Sequence, residues 1–308
     1  MRFMVTGGAG FIGSNLAFAL KQQGHDVVVV DDFSSGHYKN LIGFTGEVVT
    51  MDMARIEELA EVESLLPLDG IFHQAAITDT TVMDQKRMMK VNNDAFRHLL
   101  EWAVEKEIPV VYASSAGVYG NSPAPNRVDQ GLLPENIYGF SKYAMDMTAR
   151  SFMERHPEQR IVGLRYFNVY GPGESHKGHA ASMVYQLYHQ ILAGKRPRLF
   201  KHGEQKRDFI YVTDIVQANL RAMFSEGDVS GVYNVGTGTA RTFNDMIAII
   251  CRELATENTV EYIDNPYAFY QNHTEADISA TQGRLGYRPE YTFEAGIAAY
   301  LKALQSAR

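Results

Sequence analysis

The chain has little cysteine, no long apolar run and no excess of positive charge. Its one cysteine, Cys251, excludes a disulfide framework and any paired-cysteine metal or redox site within the 308 residues. The net charge of −7 argues against a general nucleic-acid binder, which is normally basic. The longest apolar runs, such as 27–30, are far too short to cross a membrane.

The first residues also lack the regions of an export signal, because they run straight into a glycine cluster. We therefore expect a cytoplasmic protein with no membrane segment, no bound metal and no nucleic-acid partner. The 45% hydrophobic and 21% charged residues are ordinary for a folded chain. The length suits one large domain or two smaller ones.

Alternating strand-like and helix-like segments fill the first half of the sequence. Repeated strand–helix–strand units predict an α/β fold with a Rossmann-type doubly wound parallel sheet. Strands are predicted near 3–5, 27–30, 47–51, 70–73, 109–113, 160–166 and 232–235. Helices are predicted near 12–20, 55–66, 84–107, 138–155 and 243–254.

The alternation loosens after residue 166, and glycine, proline and polar residues become frequent at 171–178 and 195–205. We predict an NAD(P)-binding domain over 1–166, with a returning segment near 209–235. A smaller, discontinuous substrate-binding domain would then comprise 167–208 and 236–308. Cys251 lies beside the apolar stripe of the last predicted helix, so we interpret it as a core residue.

A glycine-rich turn joins the first predicted strand to the first predicted helix. Gly8, Gly10 and Gly13 fit G-x-G-x-x-G, and Gly7 begins a related spacing. Such glycines allow a tight turn and a close approach of pyrophosphate to the backbone, while the helix N-terminus supplies N–H groups. An ordinary glycine-rich turn has the same letters, but the flanking elements favour a dinucleotide site.

An acid ends the next predicted strand, as a dinucleotide site requires. Asp31 can accept hydrogen bonds from the adenosine ribose and would repel a 2′-phosphate, which favours NAD. Lys39 could reach such a phosphate, so NADP stays an alternative. Asp31 and Asp32 could also simply begin a turn.

A tyrosine and a lysine share one face of the helix predicted at 138–155. Tyr138 and Lys142 are four residues apart, and Ser115 ends the fifth predicted strand. An ammonium near a phenol lowers its pKa from about 10, which makes it a better base. A surface Tyr–Lys pair has the same spacing. Beside a dinucleotide loop, however, these residues predict removal of an alcohol proton while hydride leaves the carbon.

Taken together, these motifs resemble the extended short-chain dehydrogenase/reductase family, in particular its nucleotide-sugar epimerases. The matching segments are 6–13, 29–36, 73–76, 91–93, 112–120, 138–142, 165–172 and 207–214. The resemblance implies an isomerase that oxidises a secondary alcohol transiently and reduces it again with bound NAD or NADP. It implies catalysis by Ser115, Tyr138 and Lys142. It implies cofactor contacts at Gly7, Gly10, Phe11, Ile12, Gly13, Asp31, Asp32, Asp52, Met53, Gln74, Ala75, Ala76, Asn92, Tyr138 and Lys142.

The resemblance also implies roles for two further residues. Asn92 would sit behind the site and orient the lysine through the helix backbone or water. His73 would pack at a strand end or line the cofactor. Segment 165–182 looks like that of ADP-L-glycero-D-manno-heptose 6-epimerases, including a lysine that they place opposite the catalytic tyrosine. Lys177 would then be a second catalytic acid/base. Substrate contacts are implied at Ser115, Asn168, His176, Lys177 and Arg207.

Several alternatives remain. Dehydratases of the family carry Thr-Asp-Glu after the fifth strand, whereas Ser115 is followed here by Ala116 and Gly117, which disfavours elimination of water. A UDP-glucose/UDP-galactose 4-epimerase stays open, because segment 29–36 is similar to theirs. A non-catalytic NAD-binding regulator is an alternative of another class.

The expected partner is a small-molecule nucleotide-diphosphate sugar, and because family members self-associate, a homo-oligomer is expected. A basic run at 195–207 lies in this acidic chain. We expect Arg207 to face the diphosphate and the other basic residues to form a solvated loop.

Overall fold

The computed structural model describes residues 1–55, 63–257, 259–265 and 270–306. Among these residues the main sheet has seven parallel strands in the order β10-β6-β5-β4-β1-β2-β3. The order reverses between β4 and β1, which opens a crevice at the carboxyl ends of the strands. The strands are β1 Arg2–Thr6, β2 Asp26–Asp31, β3 Glu47–Thr50, β4 Gly70–His73, β5 Val110–Ser115, β6 Ile161–Tyr166 and β10 Gly231–Val235.

Helices cover both faces of this sheet, as predicted. The α-helices of the described ranges are α1 Phe11–Gln22, α2 Gln85–Met89, α3 Ala95–Glu105, α4 Ile137–Arg155, α5 Met183–Leu192, α6 Val212–Phe224, α7 Phe243–Glu253, α8 Ser279–Leu285 and α9 Phe293–Ser306. In β2, Val27 and Val29 join the core beneath α1 and α6, while Val28 and Val30 join the core beneath α3 and α4. This alternation is why β2 is apolar throughout.

The helix predicted over 84–107 is present but is not one regular helix. A π-helical turn at Lys90–Asp94 separates α2 from α3 and contains the fully buried Asn92. Such turns are frequent at functional sites. The helix predicted near 55–66 falls largely on residues 56–62, which lie outside the described part of the chain.

The second half builds two smaller sheets with a core of their own. One has the order β11-β9-β7, with β7 Asn168–Tyr170, β9 Lys206–Tyr211 and β11 Ala240–Thr242. The other pairs β8 Arg198–Phe200 with β12 Glu261–Ile263. Helices α5, α7 and α9 pack on this core, and the partly buried Cys251 contacts it, as predicted.

The returning segment predicted near 209–235 is shorter than expected. Residues 209–211 belong to β9 and pair with β7 in the smaller sheet. The return to the main sheet begins with α6 and ends with β10, which pairs with β6. None of the helices in the described residues is long and apolar enough to span a bilayer.

A buried ion pair links β6 to α4. Arg165 is 0% exposed, and its Nε lies 2.8 Å from Oδ2 of Asp146. Tyr112 donates to Oδ1 of the same carboxylate at 3.0 Å. Arg165 also donates to the hydroxyl of Tyr119 at 2.9 Å and to the carbonyl of Val128 at 2.7 Å. Removal of any one member leaves buried polar groups unsatisfied.

This network continues into the second half of the chain through an amide. Tyr119 donates to Oδ1 of Asn234 at 2.6 Å, and Asn234 is itself fully buried at the end of β10. The Nδ2 of Asn234 donates to the backbone carbonyls of Asn126 at 2.8 Å and Asp277 at 3.2 Å. The main sheet is thereby joined to two loops that lie far apart in sequence.

Candidate active site

A cleft of about 810 Å³ opens at the carboxyl ends of the main-sheet strands, beside the smaller sheets. Its size is that of a site for a small molecule or a cofactor. Most of the predicted site residues line it, but Asn92 and Arg207 do not. Those that do are Gly7, Gly10, Phe11, Ile12, Gly13, Asp31, Asp32, Asp52, Met53, Gln74, Ala75, Ala76, Ser115, Tyr138, Lys142, Asn168, His176 and Lys177.

The glycine loop leaves its backbone open to the cleft. Gly7 has a φ of +66°, and a Cβ there would lie 2.6 Å from the backbone nitrogen of Ala75. Only glycine fits both the conformation and the space. A Cβ on Gly13 would meet the carbonyl oxygen of Gly7, so the absence of a side chain there allows α1 to start close against β1. The open backbone fits the pyrophosphate of a dinucleotide, and side chains at Gly7 or Gly13 would force this cradle apart by colliding with neighbouring backbone.

Asp31 fastens this loop to the end of β2. Its Oδ2 accepts from the backbone nitrogen of Ala9 at 2.9 Å, and its Oδ1 accepts from that of Phe33 at 2.8 Å. Burial raises the pKa of Asp31, and these hydrogen bonds oppose the rise. A carboxylate oxygen has a second lone pair, so Asp31 can also accept from a ribose hydroxyl in the cleft.

Three residues of the predicted catalytic set converge on one wall of the cleft. Asn136 caps α4 by accepting from the backbone nitrogen of Gly139 at 2.7 Å, which fixes the first turn and Tyr138 with it. The side chain of Ser115, at the end of β5, lies near the hydroxyl of Tyr138 and lowers its pKa. Lys142, one turn further along α4, is buried and donates to the carbonyl of Ala113 at 2.8 Å.

The electrostatics of this wall differ in part from the expectation. Burial raises the pKa of Tyr138, and the side chain of Ser115 only partly opposes the rise. This direction is opposite to the one expected from a neighbouring ammonium. Burial also lowers the pKa of Lys142 to about 8, against the pull of Asp146. The buried surroundings of Lys142 therefore disfavour its charged form relative to water.

Asn92 lies behind the site, as expected, but acts on different atoms. Its Oδ1 accepts from the backbone nitrogen of Ile77 at 2.8 Å, and its Nδ2 donates to the carbonyl of Ile77 and to Oγ of Ser141. Ser141 in turn donates to the carbonyl of Tyr138 at 2.7 Å. Because it is fully buried away from the cleft, Asn92 holds the tyrosine's helix and is not placed to contact a cofactor.

Lys177 enters the cleft from the connection between β7 and α5. Its Nζ lies 5.8 Å from the centre of the Phe11 ring. Burial lowers the pKa of Lys177, and Glu174 opposes this. The neighbouring His176 forms a hydrogen bond with Asn40, and 3.1 Å separates Nδ1 of His176 from Nδ2 of Asn40. It therefore joins the substrate side of the cleft to the loop after β2.

The basic run does not form the expected phosphate site. The guanidinium of Arg207 is buried 4.8 Å above the ring of Tyr270 and is held within the smaller sheet, so the contact predicted for it is not supported by the cleft. Arg198 on β8 and Glu261 on β12 form an exposed ion pair, with 3.7 Å between Nε and Oε2. The run is mostly a solvated surface, as expected for its other members.

Some residues of the site were not identified from the sequence. Ser114 lines the cleft, and its buried Oγ has no hydrogen-bond partner among the described residues. Its position beside Ser115 was the only signal. Arg87 and Phe243 also line the cleft, but no motif marks them, and Phe209 lines it within the matching segment 207–214, where it was given no role. His73 packs on Phe96 at a strand end, one of the two roles expected of it.

Comparison with known proteins adds to this geometry. The model of a family described as "NAD dependent epimerase/dehydratase family" matches residues 3–236. ADP-L-glycero-D-manno-heptose-6-epimerase of Brachyspira hyodysenteriae is 38% identical, over 99% of this chain and 98% of that protein.

Two crystal structures are also similar. That of Helicobacter pylori ADP-L-glycero-D-manno-heptose-6-epimerase is 47% identical, with a TM-score of 0.91, over 99% of this chain and 96% of that one. The Thermotoga maritima UDP-glucose 4-epimerase, solved with UDP-glucose, is 29% identical, with a TM-score of 0.92, over 100% of this chain and 99% of that one. The likeness extends through both halves of the chain.

Proposed function

The chain belongs to the NAD dependent epimerase/dehydratase family, and on that premise we propose that it inverts carbon 6 of an ADP-linked glycero-manno-heptose. It is an enzyme, an isomerase that leaves its substrate at the same oxidation level. The observation that carries the proposal is the presence of Lys177 in the same cleft as Ser115, Tyr138 and Lys142. Two separate acid/base groups suit a carbon that must be approached from both faces.

Gly7, Gly10, Gly13 and Asp31 would hold NAD, and the bound cofactor would supply hydride acceptor and donor chemistry, so that the sugar alcohol can be oxidised to a ketone and reduced again from its other face. We propose that the hydroxyl oxygen of Tyr138 exchanges the proton of the reacting alcohol, with Ser115 hydrogen-bonded to the same substrate oxygen. Lys142 would stabilise the phenolate. After the sugar has turned, the same oxygen would lie beside Lys177 instead of Tyr138. Lys177 would then give it a proton as the ketone is reduced.

NAD is preferred to NADP because Asp31 borders the cleft where a 2′-phosphate would lie. The structure removes Asn92 from the expected cofactor contacts. Those proposed are Gly7, Gly10, Phe11, Ile12, Gly13, Asp31, Asp32, Asp52, Met53, Gln74, Ala75, Ala76, Tyr138 and Lys142. The mass of nucleotide released on denaturing the purified protein tests this. Release of NADP alone would overturn the preference.

The experiment on substrate uses both carbon-6 epimers of the ADP-heptose, separated by chromatography after incubation. Interconversion is expected, and Tyr138→Phe should lower its rate by about 10²–10⁴-fold. UDP-galactose turnover without heptose interconversion would favour the UDP-sugar 4-epimerase, which the Thermotoga maritima structure supports as second candidate. Full retention of every function in the phenylalanine variant would favour a non-catalytic NAD-binding regulator.

We also propose that the chain acts in the cytoplasm as a homo-oligomer. Residues 1–166 with α6 and β10 would hold the cofactor, and the remaining segments would hold the nucleotide sugar. The division is supported by the lining of the cleft, which comes from the strand ends of the main sheet on one side and from segments of the second half on the other. Light scattering on the purified protein tests the oligomer, and a monomeric mass would exclude it.

A further inference from the structure

A buried carboxylate lies at the base of the connection that carries Lys177. Glu174 is 0% exposed, and its Oε1 accepts from the backbone nitrogen of Gly171 at 3.3 Å and from Oγ of Ser182 at 2.7 Å. Its Oε2 accepts from the backbone nitrogen of Ser182 at 2.5 Å. Gly171 and Ser182 are the two ends of the connection, so one carboxylate closes it into a loop.

The same residue is tied to the lysine and to the next helix. The carbonyl of Glu174 accepts from the backbone nitrogen of Lys177 at 2.9 Å. Ser182 caps α5 by accepting from the backbone nitrogen of Tyr185 at 3.3 Å. The carboxylate therefore lies beside the N-terminus of a helix, where negative charge is stabilised. Burial raises the pKa of Glu174, and the three donors and this position only partly oppose the rise.

We propose that Glu174 is the positioning residue for Lys177, although it lines neither the cleft nor the cofactor loop. The loop geometry stands by itself, and only the catalytic meaning of Lys177 rests on the proposed function. Without the carboxylate, the two ends of the loop lose their common acceptor, and Lys177 loses both its support and the nearby negative charge that raises its pKa.

The titration of Lys177 provides a measurable consequence. The charged or titratable groups near it are Glu174 and His176 on its own loop, while α1 contributes only the ring of Phe11. From α9, the hydroxyl of Tyr300 faces Glu174. Burial lowers the pKa of Lys177 and Glu174 raises it, so loss of the carboxylate should lower it further.

The test is Glu174→Gln, which keeps the size of the side chain and removes its charge. We expect kcat for heptose interconversion to fall about 10²-fold, the usual effect of a misplaced catalytic group, with KM much less affected. In parallel, reductive methylation of Lys177 is followed by mass spectrometry across pH. The pH of half-maximal labelling should be lower in the variant, which a merely structural role would not produce.

A matched control removes an equivalent carboxylate elsewhere. Asp214 is buried on α6 and accepts from the backbone nitrogens of Glu290 at 2.9 Å and Tyr291 at 3.2 Å, so it also anchors a loop. Asp214→Asn should lower thermal stability without changing kcat or the labelling of Lys177. Glu174→Asp keeps the charge on a shorter chain. It should restore the labelling pH while kcat stays about tenfold below that of the wild type.

An unchanged labelling profile in Glu174→Gln would overturn the positioning role, whatever the turnover. A shifted profile in a protein that does not interconvert heptose epimers would leave the role intact and reject the proposed function. If the glutamine variant fails to fold, the aspartate variant decides. Wild-type kcat with a shortened acid would show that Lys177 does not depend on Glu174.

Discussion

The ion pair between Asp146 and Arg165 should be the most sensitive point of the main sheet. We consider Asp146→Asn, which keeps the shape of the side chain and removes its charge. Arg165 would remain 0% exposed, without a counterion at its Nε. Its Nη2 already has no partner among the described residues, so no second acceptor is available to take over.

Breaking a buried pair by neutralising one partner typically costs about 3–5 kcal/mol, because the other charge stays buried and uncompensated. The hydroxyl of Tyr112 also loses a charged acceptor at 3.0 Å, which places the expected loss in the upper half of this range. Such a loss is a large share of the stability of a typical domain, which is about 5–15 kcal/mol.

Urea unfolding of the wild type and the variant, followed by circular dichroism, measures this difference. The control is Glu101→Gln in the exposed pair with Arg97, whose atoms are 3.0 Å apart, where the expected loss is below about 1 kcal/mol. The double variant Asp146→Leu, Arg165→Met should recover much of the stability, since neither charge of the pair remains buried. Equal losses for Asp146→Asn and Glu101→Gln would refute the reasoning.

Two further predictions concern the cleft. Lys142→Met should gain stability relative to the wild type at neutral pH, because the folded pKa of about 8 is below the unfolded 10.5. The cost of the buried charge is present in full below pH 8 and disappears as the pH rises to 10.5, so the relative gain should shrink in that window. Gly7→Ala should abolish NAD binding in a titration, since its Cβ would lie 2.6 Å from the Ala75 nitrogen.

Each of these has its own control. A stability difference between Lys142→Met and the wild type that does not change with pH would show that the lysine is not costly when buried. Gly24 has a φ of +82° and open space around it, so Gly24→Ala carries backbone strain of about 1–3 kcal/mol without a collision. Equal NAD affinity in Gly7→Ala and Gly24→Ala would contradict the proposal that the glycine loop holds the pyrophosphate.

Much of the main sheet could be predicted, because local signals and the tertiary environment agree there. The run Val27–Val30 is buried on both faces, so its lack of alternation identified a central parallel strand. The π-helical turn around Asn92 could not be predicted, since its polar residues fit the same helical period as their neighbours. The strand β9 was not predicted, and its residues 209–211 were included in the returning segment, because pairing partners are not encoded locally.

In the site, the predicted residues of the glycine loop and of the Tyr–Lys helix line the cleft, while Asn92 and Arg207 do not. Tyr138 and Lys142 share a helix face by spacing alone, so their common wall followed from the sequence. Arg207 lies in a conspicuous motif, yet the ring of Tyr270 holds it away from the cleft. The direction of the pKa shift of Tyr138 was also out of reach, because it depends on burial.

The contacts of Asn234 bear on how far the sequence of two loops can change. The amide of Asn234 donates to two backbone carbonyls, those of Asn126 and Asp277. A carbonyl is present whatever the side chain, so these two bonds survive substitution at either position as long as the backbone path is kept. At residue 126 the side chain helps to keep that path, since Oδ1 of Asn126 accepts from the backbone nitrogen of Glu275 at 3.3 Å. The loop around Asp277 can therefore vary in sequence without losing its attachment to the main sheet.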